Sequence, residues 1–187
     1  MKLIRTILLL VATVGVIDSC TKTETKTSAA ETNGALLAGA VGSSKSWTIT
    51  SISQTINGGA AQTVTPGSSG NSIPPCESDN VFKFSNNPAQ SYDYAEGTAV
   101  CTTGDPTSIE SGSWAFTDNG KTLLIEGTTN VTTTELQSTN HYFLGYLILT
   151  QTGPLSVTQI SATSVTMTYT FVYNSSNYLI TVVLGKV

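Results

Sequence analysis

The feature that most constrains this chain is an apolar side chain at every second position, in short runs from Trp47 onward. In residues 164–173, Val165, Met167, Tyr169, Phe171 and Tyr173 alternate largely with serine and threonine. Successive side chains of a β-strand point to opposite faces, so this pattern predicts a strand with one buried and one solvated face. Weaker forms of the same alternation occur elsewhere in the chain. They bring the number of predicted strands to ten, at residues 46–56, 80–85, 91–96, 111–117, 122–126, 131–136, 142–151, 157–161, 164–173 and 177–184.

Turn-forming residues separate these runs, and no helix of normal length is evident between them. Asp118-Asn119-Gly120 is the strongest hairpin signal. Strands that follow one another through tight turns pair antiparallel. The sequence therefore predicts an all-β fold, an antiparallel up-and-down barrel of about eight strands, with a two-sheet β-sandwich as the alternative. In the first strand the apolar positions change face between Ile49 and Ile52, which predicts a bulge near Ser51.

The first nineteen residues have the form of an export signal. Lys2 and Arg5 precede an uncharged apolar run at 6–17, which is too short to span a bilayer as a helix. Ile17-Asp18-Ser19-Cys20 resembles the bacterial lipobox, although Asp18 stands where a small or hydroxylated residue is usual. The resemblance implies cleavage before Cys20 and acylation of its thiol and new amino terminus, an anchor of three chains. An ordinary secretory peptide is the alternative.

Residues 20–44 form the predicted lipidated tether. They are rich in Thr, Ser, Ala and Gly, and their sizeable apolar side chains are Leu36, Leu37 and Val41. So few apolar groups do not offset the entropy lost on ordering the segment. We therefore expect a flexible spacer, with at most a weak helix around residues 35–40, and a barrel domain over residues 45–187.

Charge restricts the partners that this chain can have. The formal net charge is −4. Removal of residues 1–19 takes away two basic groups and one acidic group, which leaves six basic and eleven acidic groups, or −5. Nucleic acid and anionic lipid surfaces are therefore poor candidate partners, and we expect the membrane to be reached through the lipid anchor.

Cys76 and Cys101 are the two remaining cysteines. In an exported chain a disulfide between them is the first expectation. It would close a loop of about 25 residues and stabilise the fold by roughly 3–4 kcal/mol. A metal site and a redox pair are the alternatives, but the chain contains no CxxC motif.

Several motifs together resemble the lipocalin-like domain of small Bacteroidetes surface lipoproteins. The resemblance covers residues 46–126 and rests on Cys76-Glu77-Ser78-Asp79 leading into a strand, Tyr94-Ala95-Glu96-Gly97, Cys101, Gly112-Ser113-Trp114, and Gly120-Lys121-Thr122-Leu123. It implies an up-and-down barrel of about eight strands in a protein of the cell envelope.

No catalytic constellation emerges from the sequence. His141 is the only histidine, so a Ser-His-Asp triad would need it, and we interpret it as a polar residue at a strand end. The pairs Glu77 with Asp79 and Asp93 with Glu96 could hold a calcium ion, although solvated turn carboxylates are the favoured interpretation. We therefore expect no enzyme activity, no catalytic residue, no metal and no cofactor.

The aromatic side chains instead indicate a binding function. Trp47, Tyr169, Phe171 and Tyr173 are the candidate ligand-lining residues, because aromatic rings line apolar pockets and stack on sugars. We expect a monomeric lipoprotein, anchored to the outer membrane on its periplasmic or surface face, that binds a small apolar or amphipathic ligand or a glycan. The alternative is an accessory interaction subunit of an outer-membrane complex, without a small-molecule ligand.

Overall fold

The structure is a computed structural model. It describes residues 27–64, 75–100, 103, 107–130 and 153–187. These residues contain one α-helix and nine β-strands: α1 (Ala29–Ala38), β1 (Ser44–Ile56), β2 (Gln62–Val64), β3 (Val81–Ser85), β4 (Ser91–Ala95), β5 (Ser108–Thr117), β6 (Thr122–Thr129), β7 (Leu155–Ile160), β8 (Ser164–Tyr173) and β9 (Ser176–Lys186). The predicted strands at 131–136 and 142–151 lie outside the described residues.

The strands form a closed antiparallel barrel. Their order is β2-β1-β3-β4-β5-β6-β7-β8-β9, and an additional pairing of β1 with β9 closes the ring. Eight strands make the ring, and β2 is an extra strand beside β1. The predicted up-and-down barrel is confirmed, and the two-sheet alternative is wrong. Closure follows from β1, which pairs with β3 at its beginning and with β9 over most of its length.

Two local predictions are also confirmed. Asp118–Gly120 makes the turn between β5 and β6, with Asn119 in the left-handed region at a φ of 53°. The register between β1 and β9 shifts between Ile49 and Ser51, so Thr50 is an extra residue in β1. This bulge lets Ile49 and Ile52 both face the interior, although three positions separate them.

Helix α1 closes one end of the barrel, which we call the α1 end. Ser28 and Glu31 form a capping box at its beginning. Leu37 and Ala38 are fully buried. Trp47 Nε1 donates a hydrogen bond of 2.8 Å to the Leu37 carbonyl.

The tether predicted over 20–44 is therefore wrong for residues 29–44, which belong to the folded unit. The physical reason is that the end of the barrel buries the apolar face of α1, which the helix cannot do alone. The predicted signal peptide at 1–19 and Cys20 lie outside the described residues. In the described part of the chain, no helix has the length and apolar character needed to cross a bilayer.

Side chains fill the barrel interior next to α1. The fully buried ones include Trp47, Phe82, Phe84, Met167 and Leu184. Phe84 meets Trp114 edge-on, with ring centroids 6.2 Å apart. This half of the barrel is a packed core, so a ligand has to be sought elsewhere.

Candidate ligand site at the mouth of the barrel

Inward-facing side chains become steadily more exposed toward the end opposite α1, which we call the mouth. The register of β1, β9 and β8 sets three side chains side by side at each level. At the two levels nearest α1 all three are buried, whereas at the outermost level Ile56 is 36% exposed and Phe171 is 42% exposed. From the α1 end outward, the levels are Ile49–Leu184–Val165, Ile52–Val182–Met167, Gln54–Ile180–Tyr169 and Ile56–Tyr178–Phe171.

The aromatic rings at the mouth form a continuous stack, the aromatic wall, made of Tyr169, Phe171 and Tyr178. Phe171 lies between the other two: its centroid is 6.1 Å from that of Tyr169 and 4.9 Å from that of Tyr178. The Phe171 and Tyr178 rings are within 8° of parallel. Tyr173, one inward position further out, is 61% exposed. Such a wall offers flat apolar faces to a ligand that enters from solvent.

Burial affects Tyr169, at the base of the wall. It raises the pKa of the Tyr169 hydroxyl to about 12, so the group is neutral at physiological pH. A neutral phenol donates and accepts hydrogen bonds without attracting counter-ions. At this level the Tyr169 ring is apolar, and the Tyr169 hydroxyl and the Gln54 side chain are polar.

Strands β4 and β5 lie on the opposite side of the ring of strands and carry the polar groups of the interior. Asn80 donates a hydrogen bond of 3.1 Å to the Tyr94 hydroxyl. Glu110, paired in register with Tyr94, is fully buried. Its carboxylate occupies the space that a side chain on Gly127 would take. A glycine at 127 is therefore what lets a carboxylate fit inside the barrel.

Tyr92, beside this carboxylate, is also nearly fully buried. Its hydroxyl has no hydrogen-bond partner among the described residues. Burial raises its pKa well above the usual value, and the Glu110 carboxylate raises it further. The interior therefore has the aromatic wall on β8 and β9, whereas β4 and β5 combine buried aromatic rings with a carboxyl group and tyrosine hydroxyls.

The candidate ligand-lining residues fall into two groups. Tyr169, Phe171 and Tyr173 lie together at the mouth. Trp47 does not: it is fully buried at the α1 end and its indole N–H is bonded to Leu37, so its assignment as a ligand-lining residue is wrong. Alternation alone cannot tell which end of a strand is covered by another element.

Sequence reasoning missed Tyr178 and Ile56, which complete the outermost level. The signal was available, because Tyr178, Ile180, Val182 and Leu184 alternate as clearly as the residues of β8. The run appears apolar on both faces because Leu179 and Val183 interrupt the pattern. Pairing it with β8 would have identified Tyr178.

The carboxylates considered for calcium have other roles. Asp79 Oδ2 accepts hydrogen bonds from the Thr98 amide at 2.7 Å, the Thr98 hydroxyl at 2.9 Å and the Ala99 amide at 3.0 Å. Partial burial raises the pKa of Asp79, but the bonds from Ala99 and Thr98 outweigh this and lower it overall. Asp93 accepts a bond of 2.7 Å from the Ser108 hydroxyl.

In the described ranges, no group of three or more His, Cys, Asp or Glu side chains is placed to hold a metal ion. His141 lies outside those ranges. Cys76 is half-buried in the 3-10 turn Pro75–Glu77. Its predicted partner Cys101 also lies outside the described ranges, so the disulfide stays a prediction.

A surface groove of about 540 Å³ runs beside α1 and has Trp114 and Phe116 in its floor. Two of its polar side chains are already engaged. Glu31 accepts from Ser28 in the capping box, and Asn86 donates a bond of 2.8 Å to the Gly39 carbonyl. The mouth, with its exposed rings, is therefore the better candidate for a ligand site.

The chain matches no model of a known protein family, and a search of curated proteins returns no significant match. The family resemblance noted in residues 46–126 therefore stays a prediction. What the chain does has to be argued from its own geometry.

Proposed function

We propose that this protein is an exported lipoprotein, anchored to the cell envelope through Cys20, whose barrel binds a small apolar or amphipathic ligand or a glycan at its mouth. One observation carries the binding proposal: the exposure of inward-facing side chains rises toward the mouth and ends in the stacked rings of the aromatic wall. Exposed aromatic rings that face the inside of a barrel are not needed for its core. They fit a ligand that supplies the missing contacts.

The mouth favours an amphipathic ligand. The aromatic wall would take an apolar part, and the Tyr169 hydroxyl and the Gln54 amide at its base would take a polar part. Because the α1 end is filled, such a ligand would occupy only the outer half of the barrel. We propose no catalytic step for this site.

Matched double variants test the site. In the inner pair, Phe171→Ala with Tyr178→Ala, the aromatic wall is removed. In the outer pair, Val172→Ala with Leu179→Ala, apolar side chains are removed from the opposite face of the same strands. The readout is titration with a neutral, environment-sensitive naphthalene dye and with soluble oligosaccharides, preceded by native mass spectrometry for a co-purified ligand.

We expect the inner pair to weaken binding about tenfold or more, because two ring contacts of about 1 kcal/mol each are lost. The outer pair should bind as the parent chain does. Equal weakening in both variants, or no binding of any probe by the parent chain, would count against a ligand site at the mouth.

The alternative function, an accessory interaction subunit, is favoured by one specific observation. The tip of the β8–β9 hairpin is apolar on its outer face too, where Val172 is 70% exposed and Leu179 is 39% exposed. An apolar tip of this kind fits a protein partner. In crosslinking of intact envelopes, the outer pair should then lose a partner that the inner pair retains.

A further inference from the structure

The chain N-terminal to the barrel joins the folded unit at the α1 end. Two hydrogen bonds hold helix α1 there: Lys45 Nζ of β1 donates one of 2.7 Å to the Leu36 carbonyl, and Asn33 Nδ2 of α1 donates one of 2.9 Å to the Gly120 carbonyl. The Ala29 carbonyl lies so close to Gly120 that a side chain at position 120 would not fit between them. The chain preceding Ser28 therefore departs from the α1 end, beside the β5–β6 turn.

The length of that preceding chain limits where the barrel can lie. Seven residues lie between Cys20 and Ser28, which makes eight residue-to-residue steps. Fully extended, they span at most about 29 Å. The 13 residues of β1, in a strand tilted as barrel strands usually are, cover roughly 33 Å along the barrel axis. A lipid at Cys20 therefore keeps the α1 end within about 29 Å of the bilayer, whereas the mouth can lie up to about one barrel height further away.

Charge divides the barrel in the same direction. Among the described residues no lysine lies at the mouth, whereas Lys45, Lys121 and Lys186 lie at the α1 end with Glu31 and Asp118. Burial and, to a smaller extent, the positive charge of Lys186 lower the pKa of Lys45. The mouth end carries the carboxyl groups of Glu77, Asp79, Glu96 and Glu110.

We propose that the α1 end faces an anionic phospholipid surface and that the mouth points away from it. The proposal rests on the lipid anchor of the proposed function. An anionic bilayer attracts Lys121 and Lys186 and repels the mouth carboxylates, so charge adds to the constraint of the short tether. The negative net charge of the whole chain does not show this difference in charge between the α1 end and the mouth. The aromatic wall is consequently presented to the compartment beyond the membrane surface.

Two introduced cysteines test the orientation in the full lipidated chain, in a background in which Cys76 and Cys101 are replaced by serine so that only the introduced thiol is labelled. Thr117→Cys places a fluorescent donor at the α1 end, and Val172→Cys places one at the mouth; both side chains are exposed in the parent chain. The labelled proteins are reconstituted into vesicles of phosphatidylcholine alone or of equal parts phosphatidylcholine and phosphatidylglycerol. Energy transfer to an acceptor on the lipid headgroups reports the distance from each label to the bilayer.

Transfer from position 117 should exceed transfer from position 172 at least about twofold, since it falls steeply over a separation of about one barrel height. The difference should increase with phosphatidylglycerol and decrease with added salt or with Lys121→Gln and Lys186→Gln. Equal or reversed transfer in a chain that floats with the vesicles overturns the orientation alone. A chain that does not float overturns the lipid anchor and the orientation together.

Discussion

The two ends of the barrel use the same alternating strands but leave their apolar side chains in different situations. At the α1 end, the helix covers the interior, and Trp47 is buried with its N–H bonded to Leu37. At the mouth, Phe171 continues the inward face of β8 but remains partly exposed. The comparison teaches that the same inward position is core at one end and surface at the other, because α1 covers the first and no described element covers the second. Three predictions test this contrast, and the largest expected effect comes first.

Replacement of a ring should cost far more at the α1 end than at the mouth. We expect Trp47→Ala to lower the free energy of unfolding by about 3–5 kcal/mol, because it leaves a cavity and an unpaired Leu37 carbonyl. Phe171→Ala should cost about 1 kcal/mol or less, since much of that ring is already in water. Urea unfolding of both variants measures the difference. Similar costs would mean that the mouth is as well packed as the core.

Two glycine-to-alanine changes should have opposite signs. Gly127→Ala should destabilise the fold by about 1–3 kcal/mol, because the new methyl group takes the space of the buried Glu110 carboxylate. A Cβ on Gly34 would meet the Trp114 ring at 3.4 Å, an ordinary contact. Gly34→Ala should therefore stabilise α1 by up to about 1 kcal/mol. Thermal unfolding measures both changes. If Gly127→Ala stabilised the fold, the Glu110 carboxylate would not occupy the space beside Gly127.

The smallest effect concerns alkaline pH. The pKa of Tyr169 is raised to about 12 in the folded protein, against about 10 in an unfolded chain. A raised pKa means that its contribution to stability is complete below pH 10 and is lost as the pH rises toward 12. In an ultraviolet titration, Tyr169→Phe should have one fewer tyrosine that ionises at high pH than the parent chain has. An unchanged titration curve would place the Tyr169 hydroxyl in water.

Local patterns predicted local structure well. The bounds predicted for β8 match the observed ones, and both the β5–β6 turn and the bulge in β1 occur where the residues indicate. These features depend on side-chain alternation and on residues that tolerate a positive φ, which act over a few positions. Ser28 and Glu31 also carried a readable capping-box signal for α1, although the composition of residues 20–44 argued against order.

The candidate site was only partly predictable, because its residues depend on which strands become neighbours. Tyr169 and Phe171 can be selected from β8 alone, whereas Tyr178 joins them only through the pairing of β8 with β9. Trp47 has the same periodicity as these residues and differs only in lying beneath α1. Coverage by a distant element is a tertiary property and leaves no trace in the local pattern.

By itself, the sequence determined most of the antiparallel strands, the turn between β5 and β6 and the inward face of β8, since period-two alternation and turn chemistry are local. Only the tertiary structure decided that β1 meets β9 to close the ring and that α1 covers one end. It also decided that a glycine at position 127 accommodates the Glu110 carboxylate. These outcomes join residues far apart in the chain, and their free energy comes from burial that exists only once the barrel has formed.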